Sequence, residues 1–439
     1  MQTPICDFVK NYIEKNTLRL HMPGHKGCAF LGVEPFDITE IDGADSLYEA
    51  SGIIAESEKN ASKLFGCNTF YSTEGSSQCI KAMLYLATQH AKSHGKKPMI
   101  LAGRNAHKSF LSAAALCDLD VKWLLPENQD SYLSCKIDEA TLERALSRRD
   151  VTAVYLTSPD YLGNVLDVEA LSKVCKKYET LLLVDNAHGG YLKFLTPSQH
   201  PIDLGADICC DSAHKTLPVL TGGAYLHVSN TCEELLPQTK NALSLFGSTS
   251  PSYLILQSLD MANRYIADGY AERLADFSQK VKDLKTKLML GGFILRGNDP
   301  LKITIKTKPY GYRGEDFSKA LLEKNVVCEF ADPDFVVMML TPEIDLEILE
   351  KALLSIPKKT AIMIAPPTFS LPERAMSVRT ATFSPSKTVP VEQAQGKILA
   401  AATVGCPPAV PIVTCGERIT AEAIEIFKYY GIKTCTIVK

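Results

Sequence analysis

Lys215 and Asp185 are the residues whose types and spacing point to chemistry. Asp185 closes the apolar run Leu181-Leu182-Leu183-Val184, and Lys215 follows a second short run, Ile208-Cys209-Cys210, after Asp211-Ser212-Ala213-His214. Such runs predict buried parallel strands that deliver their last side chains at the carboxyl ends. Ligands of open α/β sheets sit outside those ends, so the lysine and the aspartate are expected to face one crevice. Taken singly, each has a plainer reading, as a surface lysine and as a strand-end cap. Together they suit pyridoxal phosphate (PLP): the amine forms a Schiff base with the cofactor aldehyde, and the carboxylate keeps the pyridine nitrogen protonated so that the ring accepts electrons.

Ser212-Ala213-His214-Lys215 and Asp185-Asn186-Ala187-His188-Gly189 resemble the lysine and aspartate motifs of the Orn/Lys/Arg decarboxylases, bacterial fold-type-I PLP enzymes. Further matches run from His21 to Glu417, in a short form resembling the Gram-positive arginine/lysine decarboxylases. Gly75-Ser76-Ser77, at a predicted strand-to-helix turn, resembles the family's phosphate cup; a helix N-terminus offers amides and the positive dipole end to an anion. Arg104-Asn105-Ala106-His107-Lys108-Ser109 resembles the motif whose histidine stacks on the cofactor ring, which assigns His107. The loop Asp37–Tyr48 resembles a segment that reaches toward the active site, often the partner subunit's, and offers Asp45 to a basic substrate; a solvated acidic loop is the equal alternative. Cys406-Pro407-Pro408-Ala409-Val410-Pro411-Ile412-Val413-Thr414-Cys415-Gly416-Glu417 resembles the family's run ending in Pro-Gly-Glu, with Ala409 and Cys415 replacing the usual Gly and Pro. It offers Glu417 to the distal cation, since a carboxylate pairs well with an ammonium or guanidinium group. Asp160-Tyr161-Leu162 departs from the family's Thr and Tyr after Ser158-Pro159, which bears on substrate preference.

The resemblance implies decarboxylation of arginine, lysine or ornithine to the amine and CO2. Lys215 would hold PLP as an internal aldimine, Asp185 would favour the quinonoid, His107 would stack on the ring, and Lys215 or His214 would reprotonate Cα. Gly75, Ser76, Ser77, His107, Asp185, His188, Ser212, His214 and Lys215 are the implied cofactor residues, and no metal is expected. It also implies a homodimer or dimer of dimers with the active site at the subunit interface, and a role in polyamine supply.

The elements that must position these residues follow from periodicity. Strand and helix patterns alternate from about residue 66 to 228, which predicts a mostly parallel sheet flanked by helices; the resemblance makes it PLP fold type I, aspartate-aminotransferase-like. A helix begins at Pro4 with Thr3 as its cap, and a long helix is expected from Ser252 to Leu290. Beyond it, Leu301–Thr307, Val326–Phe330 and Phe335–Leu340 read as strands. The expected division is 1–65 (N-terminal helix and loops), 66–255 (large PLP-binding α/β domain), 256–360 (linker helix and small α/β domain) and 361–439 (C-terminal domain).

Bulk properties narrow the classes. The chain has 439 residues, is 46% hydrophobic and 22% charged, and has a net charge of -3, which argues against a nucleic-acid or membrane-surface partner and for a small-molecule substrate. Fourteen scattered cysteines, several within apolar patterns, point to a reducing cytoplasm, and no signal-peptide core or membrane-length apolar run is present. Two other functions use the same residues: transamination or aldol cleavage, for which Arg313 or Arg379 would hold the substrate carboxylate, and a non-catalytic PLP-fold binding protein.

Overall fold

The computed structural model describes residues 1–126, 131–148, 150–368, 370–402 and 408–439. Seven strands, β1 (Asn68–Ser72), β2 (Met99–Gly103), β3 (Asp120–Leu124), β4 (Ala153–Thr157), β5 (Leu181–Asp185), β6 (Ile208–Asp211) and β7 (Ala224–Val228), form one sheet in the order β1-β7-β6-β5-β4-β2-β3. β2 pairs in parallel with β3 and β4, and β5 with β6, while β7 runs antiparallel to β6 and β1. Every residue of β5, β6 and β7 is buried, as a sheet covered on both faces requires. With its flanking helices this is the α/β, PLP fold-type-I architecture expected above.

Contacts divide the chain into two compact units, 1–96 with 175–274, and 97–174 with 275–439.

In the first unit the helices Pro4–Glu14, Ile53–Phe65 and Tyr253–Ala267 pack together. Thr3 does not cap the first of them: its hydroxyl donates to Asp7 Oδ1 at 3.1 Å. The amides of Ile5 and Cys6 donate instead to Asp260 Oδ2, at 3.0 and 3.1 Å. A fully buried carboxylate from a distant helix is the stronger acceptor for a helix N-terminus, so tertiary packing overrides the local cap. The long helix expected from Ser252 to Leu290 is two helices, Tyr253–Ala267 and Tyr270–Leu290, broken where Gly269 adopts φ +71°.

In the second unit β8 (Ile294–Arg296), β9 (Lys302–Lys306), β10 (Phe330–Ala331) and β11 (Phe335–Met339) form an antiparallel sheet in the order β10-β11-β9-β8. The strand expected at Val326–Phe330 reduces to Phe330–Ala331, because Asn325 turns the chain at φ +60° and leaves Val327 81% exposed. A smaller sheet, ordered β12-β14-β13, joins β12 (Ser386–Pro390), β13 (Leu399–Ala401) and β14 (Thr434–Val438). Its core holds Val391, Leu399, Ile412, Ile419, Phe427 and Ile437. Among the described residues no helix is long and apolar enough to cross a membrane, and the described cysteines are free thiols.

Candidate active site

Two strand ends of the first unit build the centre. β5 delivers Asp185, which is 3% exposed, and the register that pairs Asp185 with Cys210 of β6 puts both side chains on one sheet face. Asp185 Oδ1 accepts from the Ala187 amide at 3.2 Å and from the Cys210 thiol at 3.8 Å. Burial and the Asp185 charge push that thiol far up, so it remains protonated beside the carboxylate. β6 runs into the short helix Ala213–Thr216, which carries Lys215. The half-buried Lys215 amine lies 2.9 Å from His188 Nε2, in the turn after β5. His214 Nδ1 contacts the Gly223 carbonyl at 2.9 Å, which also accepts the His214 amide.

The expected phosphate cup begins the helix Ser76–Ser93. Gly75 is its N-cap, at φ +71° and ψ 179°, and no side chain caps the helix. Only glycine holds that backbone conformation cheaply, and its amide donates to the Gly222 carbonyl at 2.7 Å. Ser212 Oγ donates to Ser76 Oγ at 2.8 Å, which joins the cup to the residue that opens the lysine helix. The N-terminus of an 18-residue helix without a side-chain cap, with serine hydroxyls beside it, has the amides and dipole that suit an anion. Amine, buried carboxylate and helix terminus are the donor set that PLP requires, and the residues present fit that group.

Three other expected residues have protein partners of their own. His107, in the second unit, caps the helix Lys108–Leu116, its Nδ1 accepting from the Ser109 amide at 3.1 Å. Glu417 pairs with Arg104 in the same unit: Oε2 stands 3.0 Å from Arg104 Nη2 and 2.6 Å from the Thr414 amide. The two side chains are 1% and 2% exposed, and Arg104 also donates to the Pro411 and Ile412 carbonyls. Asp45 accepts from the amides of Ser46, Ser51, Gly52, Ile54 and Ala55 and so caps the helix Ile53–Phe65. Both carboxylates have protein partners in this structure. Neither candidate carboxylate clamp is free: Arg379 donates to the carbonyls of Ala115 and Leu116, and Arg313 pairs with Glu315.

The departures from the family pattern also find places. Asp160 is buried and accepts from Leu162, Asn164 and the Asn164 side chain, shaping the turn, while Tyr161 donates to Glu329 at 2.7 Å. Ala409 sits at φ +54°, a conformation that explains why glycine is usual there. Cys406 and Pro407 of that motif lie outside the described residues.

Comparison with known proteins decides the kinship. Residues 3–289 match the Orn/Lys/Arg decarboxylase major domain, and residues 365–435 its C-terminal domain. The chain belongs to the Orn/Lys/Arg decarboxylase family. It is 30% identical to the "Uncharacterized protein YaaO" of Bacillus subtilis and 28% identical to an arginine decarboxylase of the same organism; each match covers 97% of this chain and 93% of the relative. Among solved structures, lysine decarboxylase A from Pseudomonas aeruginosa superposes with a TM-score of 0.81 at 17% identity, over 99% of this chain and 80% of that one. The constitutive lysine decarboxylase of E. coli gives 0.75 at 17% identity, over 100% and 82%. Likeness at that identity shows the fold. As a member of the Orn/Lys/Arg decarboxylases the chain is a PLP-dependent decarboxylase, a carboxy-lyase.

Sequence reasoning located these strand ends but gave no role to Asp211 and Asn186, which lie within the two quoted motif stretches. The signal was visible as a second polar residue at each strand end.

Proposed function

We propose that this chain decarboxylates a basic amino acid, arginine first, at a centre built on Lys215. The observation that carries the reading is the Lys215 amine held 2.9 Å from His188 Nε2 between the ends of β5 and β6. When bound, PLP supplies an electron sink that lets the substrate's carboxylate leave as CO2. Lys215 is the covalent anchor for its aldehyde. The N-terminus of the helix Ser76–Ser93, with Ser76, Ser77 and Ser212, receives the phosphate. Asp185 holds a proton on the pyridine nitrogen, and its burial strengthens that charge pair. His188, in contact with Lys215 Nζ, takes the lysine's proton when the amine must be neutral and returns it for delivery to Cα, a delivery that the sequence expectation gave to Lys215 or His214. His107 enters on the strength of its motif alone.

Relatives named arginine decarboxylases match nearly the full length, which favours arginine over lysine and ornithine. The engaged side chains of Arg313 and Arg379 weigh against transamination. A second copy of the chain is the proposed partner: Leu18, Leu20, Phe30 and Leu31 are 79–87% exposed on the N-terminal segment, an apolar surface that a homodimer would cover. The free thiols suit a reducing, cytoplasmic compartment.

The test incubates PLP-loaded protein with arginine, lysine and ornithine and separates the products, with Lys215→Ala as control. Agmatine as the main product, lost in the variant, supports the reading. No amine from any of the three, with PLP bound at Lys215, overturns it.

A further inference from the structure

On the other face of β6 from Asp185, a second buried cluster belongs to neither the cofactor centre nor an ordinary apolar core. Cys210 shares the face of Asp185, so alternation turns Cys209 and Asp211 to the opposite one, where His227 of β7 lies across from Cys209. Asp211, His200 and His227 are all fully buried. Asp211 Oδ2 lies 3.1 Å from Nε2 of both histidines, and Oδ1 accepts from Asn186 Nδ2 at 2.6 Å. His227 Nδ1 is 3.0 Å from Thr69 Oγ1, and the Phe65 ring packs on both imidazoles, at 5.7 and 4.5 Å.

One carboxylate therefore joins four segments: β6, which it ends; β7, through His227; the loop after β5, through Asn186; and the 196–200 loop, through His200. Its chain neighbour Ser212 reaches the phosphate cup, and the chain neighbour of Asn186 is Asp185. A shift of Asp211 moves both strand ends that carry the reacting groups.

Two occupants suit this chemistry. Ligand atoms of His200, Cys209, Asp211 and His227 all lie within 4.8 Å of one another, which a divalent transition metal would accept. A shared proton suits it better. Burial alone would raise the Asp211 carboxyl, but the two histidines hold it well below the usual carboxylate range, and Asp211 keeps His227 above its ordinary value against the cost of burial. The geometry favours a hydrogen-bonded cluster: Asp211 Oδ2 stands at hydrogen-bond distance from both Nε2 atoms, while Cys209 Sγ is 3.9 Å from His200 Nε2.

We propose that Asp211, clamped by His200 and His227 through hydrogen bonds and not through a metal ion, is the positioning residue that locks Asp185 and Lys215 into register. This rests on the assignment of Lys215 and Asp185 to the cofactor. Groups that hold a reacting constellation matter because displacement by about 1 Å costs on the order of a hundredfold.

The experiment compares wild type, Asp211→Asn and Asn186→Ala by PLP affinity, by the visible absorption of lysine-bound PLP, by kcat and KM, and by thermal unfolding of the apo protein. Asp211→Asn removes the charge, and Asn186→Ala cuts only the tie to the β5 end, which keeps the test valid if the first variant fails to fold. Expected for Asn186→Ala are PLP affinity weakened about tenfold or more, a shifted absorption maximum, and kcat lowered by about tenfold or more with KM within about threefold, while the apo protein still unfolds cooperatively. Variants that lose only thermal stability, with PLP affinity and spectrum unchanged, overturn the proposal. So does one equivalent of zinc per chain in wild type that survives dialysis against chelator. A wild type without lysine-bound PLP absorption marks the failure of the cofactor assignment itself, and the proposal falls with it.

Discussion

Glu417 and Lys215 were both singled out by motif, and the structure gives them opposite surroundings. In the second unit Glu417 faces Arg104 at 3.0 Å, each side chain about as buried as a side chain can be; two backbone carbonyls, the Thr414 amide and the Trp123 ring, 5.0 Å from the guanidinium, stand around the pair. In the first unit Lys215 is half-buried, and its amine rests against an imidazole that either accepts or donates a proton. A charge pair closed on itself is spent on holding the chain; an amine kept beside a weak base near the surface retains its reactivity. Motif membership alone does not separate the two, but burial and partner chemistry do.

Breaking the closed pair gives the largest effect. Glu417→Gln keeps the shape and strands the Arg104 charge, so urea unfolding is expected to show a loss of about 3–5 kcal/mol, with KM for the amino acid changed by less than about twofold in the folded fraction. A large rise in KM with stability intact would return Glu417 to the substrate site.

A third buried carboxylate sharpens the contrast. Asp332 accepts from the Asp334 and Phe335 amides on Oδ1, but Oδ2 has no partner among the described residues. Burial, reinforced by the charges of Asp334 and Glu315, raises it to about 7. A folded pKa above the unfolded one means that the folded state binds more protons between them, so stability falls as pH rises from about 4 to about 7, by a few kcal/mol at most. Asp332→Asn should flatten that slope in thermal unfolding followed against pH and should be the more stable protein at about pH 8. An unchanged slope would show that another group carries it.

The smallest effect is at Asp45. Asp45→Ala removes a helix cap, with an expected cost of about 1 kcal/mol in urea unfolding and no change in KM. A KM effect without the stability loss would restore its substrate role.

How far the sequence could be read follows the same physics. The strand ends at Asp185 and Asp211 were legible because an apolar run that stops at a polar residue is a strong local signal, and the Gly75 turn was legible because a left-handed cap before a helix requires glycine. The break at Gly269 was missed because the apolar pattern continues across it. The cap of the first helix was missed because Asp260, its true acceptor, is distant in sequence. The β12-β14-β13 sheet escaped because β12 is largely exposed and alternates weakly. The partners of Glu417 and Asp45 are tertiary facts, which a motif names without their surroundings.

The central claim is that Lys215 is the cofactor's attachment point. Reduction of the PLP-loaded protein with borohydride, followed by proteolysis and mass spectrometry, tests it directly. The account predicts a phosphopyridoxyl group on the peptide that contains Lys215 and its absence in Lys215→Ala. A stable label on any other lysine, or none on a protein that still decarboxylates, would contradict it.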